Sequence, residues 1–288
     1  MPTPADRLRA LLARPGLLLM PGCHDALSAK LAEQAGFPTA FMSGFAVSAV
    51  RLGLPDTGLI SYGELIDQGR NICSAVSIPL FGDGDTGFGN PLNVRRTVEG
   101  YARAGFGCIM IEDQLRPKRC GHTRGKAVVG REEALLRVQA AVDARNEGTD
   151  ILIMGRTDAR ATDGLDEAIV RCQAFVEIGA DITFLEAPLS EAEMQRYGAE
   201  VPGYKMVNLI ESGKTPLLPL PRLEAIGYKI AVYPLTLLNV SIKAMQAALE
   251  RIRRGEAVEV LDFTDLQAVA GFPDYYAGEA RYSAVRKD

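Results

Sequence analysis

The chain has 288 residues, 47% hydrophobic and 24% charged, with a formal net charge of −4. That length can bury a sizeable core, and the composition is that of an ordinary globular protein rather than a fibrous or low-complexity one. Basic residues are scattered, apart from Lys118-Arg119 and the stretch 251–254, which argues against a nucleic-acid partner, and no apolar run reaches membrane-spanning length.

Along the chain, short apolar runs alternate with longer amphipathic stretches. The runs predict strands at 17–20, 39–42, 78–81, 107–111, 151–155, 181–185, 205–209 and 229–232. Helices are predicted between them at 27–35, 62–75, 92–104, 131–146, 165–178 and 219–226, with a long terminal helix at 237–254. Gly36, Gly105, Gly179 and Gly227 each stand where a helix ends before a strand, the usual place for a left-handed stop. Strand–helix alternation implies parallel strands joined by right-handed crossovers. About eight such units in roughly 250 residues fit a closed (β/α)8 TIM barrel. The other candidate is an open doubly wound sheet, but its GxGxxG fingerprint is absent, since Pro21-Gly22-Cys23-His24 follows the first strand. One barrel domain over 1–288 is expected, with a helical extension from about 237 to the end. Cys23, Cys73, Cys108, Cys120 and Cys172 form no CxxC pair, and the N-terminus lacks a signal-peptide pattern, so reduced thiols and a cytoplasmic location are expected.

Polar residues follow the strands in a regular way: Ser43-Gly44, then Asp83 and Asp85, Glu112-Asp113, Arg156 and Asp158, Glu186 and Asn208. In a parallel barrel these positions converge on one mouth. Asp83, Asp85 and Glu112 offer the oxygen ligands that Mg²⁺ requires, directly or through water. The aspartates could instead cap the helix that follows. Cys120 stands among Lys118, Arg119 and His122, and cationic neighbours lower a thiol's pKa and suit it to proton transfer. The alternative is a solvated basic loop with an incidental cysteine. Glycines at 121 and 125 predict that residues 118–126 are mobile without ligand. Arg156 could grip a carboxylate in a two-pronged contact, or pair with Glu186 or Asp158.

Asp83-Gly84-Asp85-Thr86-Gly87-Phe88-Gly89-Asn90, Glu112-Asp113-Gln114, Lys118-Arg119-Cys120-Gly121-His122 and Arg156-Thr157-Asp158-Ala159 resemble the isocitrate lyase/phosphoenolpyruvate mutase superfamily. The resemblance runs over about 17–237 and includes Leu52-Gly53-Leu54-Pro55-Asp56. The Lys-Arg-Cys-Gly-His element is similar to that of the branches that break carbon–carbon bonds. Phe184-Leu185-Glu186-Ala187-Pro188 and Glu211-Ser212-Gly213-Lys214-Thr215-Pro216 resemble the 2-alkylmalate (2,3-dimethylmalate) lyases and the petal death protein. Methylisocitrate lyases resemble it less: Phe41 replaces their tyrosine and Phe45 their glycine.

The resemblance implies cleavage of the C2–C3 bond of a 2-hydroxydicarboxylate, giving a 2-oxo acid such as pyruvate and a carboxylate through an enolate. It implies Mg²⁺, with Mn²⁺ as a substitute, held mainly through waters by Asp56, Asp83, Asp85 and Glu112. Cys120, Lys118, His122, Glu186 and Arg156 would be catalytic. Ser43, Gly44, Phe45, Asp83, Gly121, His122, Arg156, Asn208, Glu211 and Thr236 would contact the small dicarboxylate substrate. A homotetramer is implied in which the last barrel helix is exchanged between subunits. The rival activities are oxaloacetate hydrolysis, which the resemblance associates with a serine at the position of Thr236, and carboxyphosphonoenolpyruvate phosphonomutase chemistry. A rival of another class is an inactive barrel that serves binding or assembly.

Overall fold

The computed structural model describes residues 2–121 and 125–283. Eight parallel strands close into a barrel in chain order. They are β1 (Leu18–Cys23), β2 (Ala40–Met42), β3 (Leu80–Asp83), β4 (Cys108–Glu112), β5 (Leu152–Thr157), β6 (Ile182–Leu185), β7 (Tyr204–Asn208) and β8 (Ile230–Tyr233). Closure is made by β1 pairing with both β2 and β8, with Leu18 opposite Ile230 and Gly22 opposite Phe41. The expected (β/α)8 TIM barrel is therefore present, and the open sheet is excluded. Several strands run past the apolar runs that announced them. β3 reaches Asp83, β4 reaches Glu112 and β5 reaches Thr157, because the ladder continues through the polar residues at the mouth.

The helices Tyr62–Ala75, Arg131–Asn146 and Leu165–Ile178 have the expected limits. The first opens on a capping box between Ser61 and Glu64, and the third stops at Gly179, whose φ of +108° an L side chain rarely adopts. Helices at Pro4–Ala13 and Glu191–Glu200 were not anticipated, whereas Phe263–Ala270 and Phe272–Ser283 fall within the expected helical extension. Thr3 and Asp6 form a capping box around Pro4, a legible start signal for the first of these.

Strand alternation sorts the side chains into two layers. Leu18, Met20, Phe41, Phe81, Met110, Met154, Phe184 and Met206 fill the barrel interior. Their neighbours Ile109, Ile111, Ile151 and Ile153 face the surrounding helices. Leu8, Leu11 and Leu12 of the first helix join the interior cluster, and Leu8 lies against Gly107 at the start of β4. That helix covers the end of the barrel where the strands begin, which leaves the opposite end for chemistry.

The chain divides into two compact units, the first ending at Leu238 and the second beginning at Asn239. The second unit consists of helices and carries exposed apolar side chains, among them Val240, Met245, Leu249, Phe263 and Tyr275. Among the described residues no helix is long and apolar enough to cross a membrane.

Gly69, in the helix Tyr62–Ala75, has no room for a side chain. A Cβ there would stand 2.6 Å from the Phe106 ring, which is itself held against Tyr101 at a centroid distance of 4.9 Å. Alanine gains about 1 kcal/mol of helix propensity over glycine, but overpacking a rigid core costs about 1–3 kcal/mol. Gly69→Ala should therefore lower stability in urea denaturation followed by circular dichroism. An unchanged or higher midpoint would show that the ring can yield.

Candidate functional site

The inward positions that hold apolar side chains inside the barrel hold polar ones two residues later. Phe41 gives way to Ser43, Phe81 to Asp83, Met110 to Glu112, Met154 to Arg156, Phe184 to Glu186 and Met206 to Asn208. Period-two alternation thus aims all six at the mouth formed by the strands' C-terminal ends. Glu112 and Arg156 are register partners across β4 and β5, and Glu112 Oε2 lies 3.2 Å from Arg156 Nε. Arg156 also lies 2.8 Å from Asp158 Oδ2 and 3.1 Å from Glu186 Oε2, with its guanidinium 5.2 Å from the Phe184 ring. Both ion pairs considered for Arg156 are present. Asn208 Nδ2 donates to Glu186 Oε2 at 3.1 Å.

Asp56, Asp83 and Asp85 gather on the β2–β4 side of the mouth. The Gly44 N–H donates to Asp83 Oδ2 at 3.2 Å, and the Asp85 N–H donates to Asp83 Oδ1 at 3.0 Å. Asp85 takes a positive φ of +49°, a conformation aspartate tolerates better than most residues. The buried ammonium of Lys118 lies 2.6 Å from Asp56 Oδ1 and 2.8 Å from Asp85 Oδ1. Burial opposes the charge on Lys118, but Asp85 and Asp56 outweigh it and hold its pKa well above the ordinary value. Burial, then the like charge of Asp85, raises the pKa of Asp83. Burial also pushes Glu112 well up against the pull of Arg156 and Lys118.

This donor set fits a hydrated hard cation. Asp85 Oδ2 and Glu112 Oε1 are buried acceptors with no hydrogen-bond partner, in surroundings already rich in negative charge. Among the described residues no three histidine, cysteine or acidic side chains converge closely enough to hold an ion directly. Mg²⁺ characteristically keeps several waters, and carboxylates at this remove would hold it through them.

Cys120 belongs to an excursion between β4 and the next helix. Its base is closed by an antiparallel bridge from Gln114 to Val128 and by Leu115 N–H donating to Ala127 O at 2.8 Å. The Gln114 side chain grips Arg119 on both sides, accepting from its N–H at 2.9 Å and donating to its carbonyl at 2.8 Å. Gly121 packs against Glu186 so closely that a Cβ would stand 2.6 Å from its carboxyl carbon. His122 lies outside the described residues, as do 123 and 124. Lys126, on the returning arm, donates to Asp158 Oδ1 at 2.7 Å.

A cavity opens at the centre of these groups. Ser43, Asp56, Asp83, Arg156, Glu186 and Asn208 form its polar wall. Phe41, Phe45, Met110, Phe184, Ile210 and Leu235 form an apolar one, and Lys118, Arg119, half-buried Cys120 and Gly121 complete it. Asp85 and Glu112 stand behind this surface. Gly44 touches Asp83 but does not line the cavity. Glu211 and Thr236 do not line it either, because the Thr236 hydroxyl donates to Glu211 Oε1 at 2.6 Å. Sequence reasoning named Phe45 but passed over the rest of the apolar wall, whose residues look like ordinary core positions, and Lys126, which looks like a surface lysine.

Three comparisons bear on this site. The family model described as phosphoenolpyruvate phosphomutase matches residues 8–253. The chain is 45% identical over 241 residues to 2,3-dimethylmalate lyase of Eubacterium barkeri, covering 84% of this chain and 83% of that one. It is 39% identical to the chloroplastic carboxyvinyl-carboxyphosphonate phosphorylmutase of Arabidopsis thaliana, covering 97% and 85%. The solved structure of oxaloacetate acetylhydrolase with the inhibitor 3,3-difluorooxalacetate matches with a TM-score of 0.93 at 35% identity, covering 99% of this chain and 98% of that one. A barrel mouth of this construction, in a chain matched by the family model along most of its length, identifies it as a member of the phosphoenolpyruvate mutase/isocitrate lyase superfamily.

Proposed function

We propose that this chain is a Mg²⁺-dependent carbon–carbon lyase acting on a 2-hydroxydicarboxylate of the 2-alkylmalate class. The observation that carries the proposal is the cavity itself: Arg156 and Cys120 line one space, between a wall of carboxylates and a wall of aromatic and aliphatic side chains. The polar side suits the substrate's carboxylate and hydroxyl oxygens, and the apolar side suits its alkyl branches. The 45% identical relative named 2,3-dimethylmalate lyase supports that substrate class.

In this reading Arg156 binds one substrate carboxylate through the donors its acidic neighbours leave available, with Ser43 and Asn208 beside it. The 2-hydroxyl gives its proton to a carboxylate of the polar wall, and the C2–C3 bond breaks. The C2 fragment leaves as a 2-oxo acid, and the bonding electron pair remains on the C3 fragment as an enolate. Cys120 Sγ–H delivers a proton to C3, which yields the carboxylate product. Mg²⁺ held through water by Asp56, Asp83, Asp85 and Glu112 would supply positive charge where negative charge develops on the substrate oxygens. Glu186, packed on Gly121 and bonded to Asn208, fixes the position of the loop that carries the thiol.

A second reading, hydrolysis of oxaloacetate, is favoured by the match to oxaloacetate acetylhydrolase. Purified protein with Mg²⁺ should be offered 2-methylmalate, 2,3-dimethylmalate, methylisocitrate, isocitrate and oxaloacetate, with products identified by NMR. The lyase reading expects a 2-oxo acid from an alkylmalate. Oxalate and acetate from oxaloacetate alone would replace it with the hydrolase. EDTA should abolish turnover and Mg²⁺ or Mn²⁺ restore it, whereas full activity after exhaustive chelation would reject the metal.

Cys120→Ser should bind oxalate, a planar dicarboxylate of enolate size, nearly as well as the parent. Its kcat should fall by about 10²–10⁴, the usual loss with a general acid. Cys73→Ser, on a helix remote from the cavity, serves as the control. Near-parental turnover in Cys120→Ser would remove the thiol from the mechanism.

A homotetramer with an exchanged last helix is part of the proposal. The exposed apolar side chains of the second unit support burial against other copies. Light scattering should give about four times the 31.0 kDa chain mass. A monomer mass would refute the assembly.

A further inference from the structure

We infer that Lys126 is a positioning residue that, through Asp158, sets how Arg156 presents its guanidinium to the cavity. This rests on the reading of the cavity as a carboxylate site. Lys126 Nζ lies 2.7 Å from Asp158 Oδ1, and the two side chains are 3% and 0% exposed. The same carboxylate accepts from Arg156 Nε at 2.8 Å and from Arg156 Nη2 at 3.3 Å. Asp158 therefore divides its charge between a lysine that does not line the cavity and an arginine that does.

The backbone that carries Asp158 is anchored. Its N–H donates to Asp113 Oδ1 at 2.9 Å, and Asp113 is pinned by the Thr157 hydroxyl at 2.6 Å and by Arg171 at 2.9 Å. Arg156 also faces Glu112 and Glu186, so three carboxylates draw on one guanidinium. Burial works against the charge of Asp158, and Arg156 with Lys126 outweighs it, holding the carboxyl well below the usual range. Removing Lys126 leaves this buried anion to Arg156 among the described cations. The guanidinium is then drawn toward Asp158 and away from a ligand carboxylate. Lys126 lies on the same excursion as Cys120, so one segment places the proposed acid and trims the charge around the proposed anion site.

The test measures oxalate affinity by titration calorimetry at saturating Mg²⁺ for the parent, Lys126→Met, Lys126→Arg, Arg156→Lys and the double variant Lys126→Met/Arg156→Lys. Circular dichroism confirms folding, and Lys126→Gln replaces Lys126→Met if the latter does not fold. Lys126→Met should weaken oxalate by about 10- to 100-fold, the worth of one hydrogen bond to a charged group. Lys126→Arg should recover most of the affinity. In the Arg156→Lys background the lysine substitution should matter less than about twofold, since residues that act through one another are not additive. With the best substrate, Lys126→Met should raise KM far more than it lowers kcat, as expected for binding common to ground and transition states. Unchanged oxalate affinity in Lys126→Met, or an equal loss in both backgrounds, would overturn the inference while leaving the functional reading intact. A parent protein that binds no oxalate and converts no dicarboxylate overturns both.

Discussion

The constraint on which this structure turns is the balance of buried charge at the barrel mouth. Asp56, Asp83, Asp85, Glu112, Asp158 and Glu186 are all nearly inaccessible there. Among the described residues Lys118, Lys126 and Arg156 oppose them. Removing an ion from water costs several kcal/mol even after relaxation, so such a cluster persists only when each charge has partners. The balance remains negative, and burial accordingly raises the pKa of Asp83 and Glu112. Catalytic sites are where such perturbation concentrates. A site left short of positive charge, with acceptor atoms unpartnered, is suited to a divalent cation and to a substrate that chelates it.

The barrel supplies this arrangement through register. Parallel pairing places Glu112 beside Arg156 and Arg156 beside Phe184 without any long-range adjustment of side chains. The first helix covers the opposite end with Leu8, Leu11 and Leu12, so the interior is filled below and polar above. Stability and chemistry are thereby separated along the barrel axis. Asp85 and Ala187 both take positive φ beside the mouth, at +49° and +57°. Such conformations cost of order 1–3 kcal/mol and are held by the packing around them.

The excursion from Gln114 to Val128 is positioned by its own ends. Gln114 fixes Arg119, Lys118 reaches the aspartates, and Lys126 returns to Asp158. Cys120 is placed at the cavity between these attachments. The two lysines look alike in the sequence but serve opposite sides of the mouth, one toward the proposed metal carboxylates and the other toward the arginine.

Much of this was legible in the chain. Eight apolar runs spaced by amphipathic stretches determined a barrel, and a polar residue at the end of each of several runs marked its mouth. The strand limits were less legible, because Asp83, Glu112 and Arg156 interrupt the apolar pattern although the ladder runs through them. Glu211 and Thr236 were expected at the substrate, yet their side chains bond to each other and neither lines the cavity. Most of the apolar wall, Phe45 apart, and Lys126 were hidden for a common reason. Sequence periodicity reports which face of an element a residue occupies, whereas facing one particular cavity or carboxylate depends on pairing between distant segments. The sequence by itself determined the alternation and the kinds of chemistry available. Only the closed barrel decided which buried charges meet, because electrostatic partnership is set by distances of a few ångströms between residues far apart in the chain.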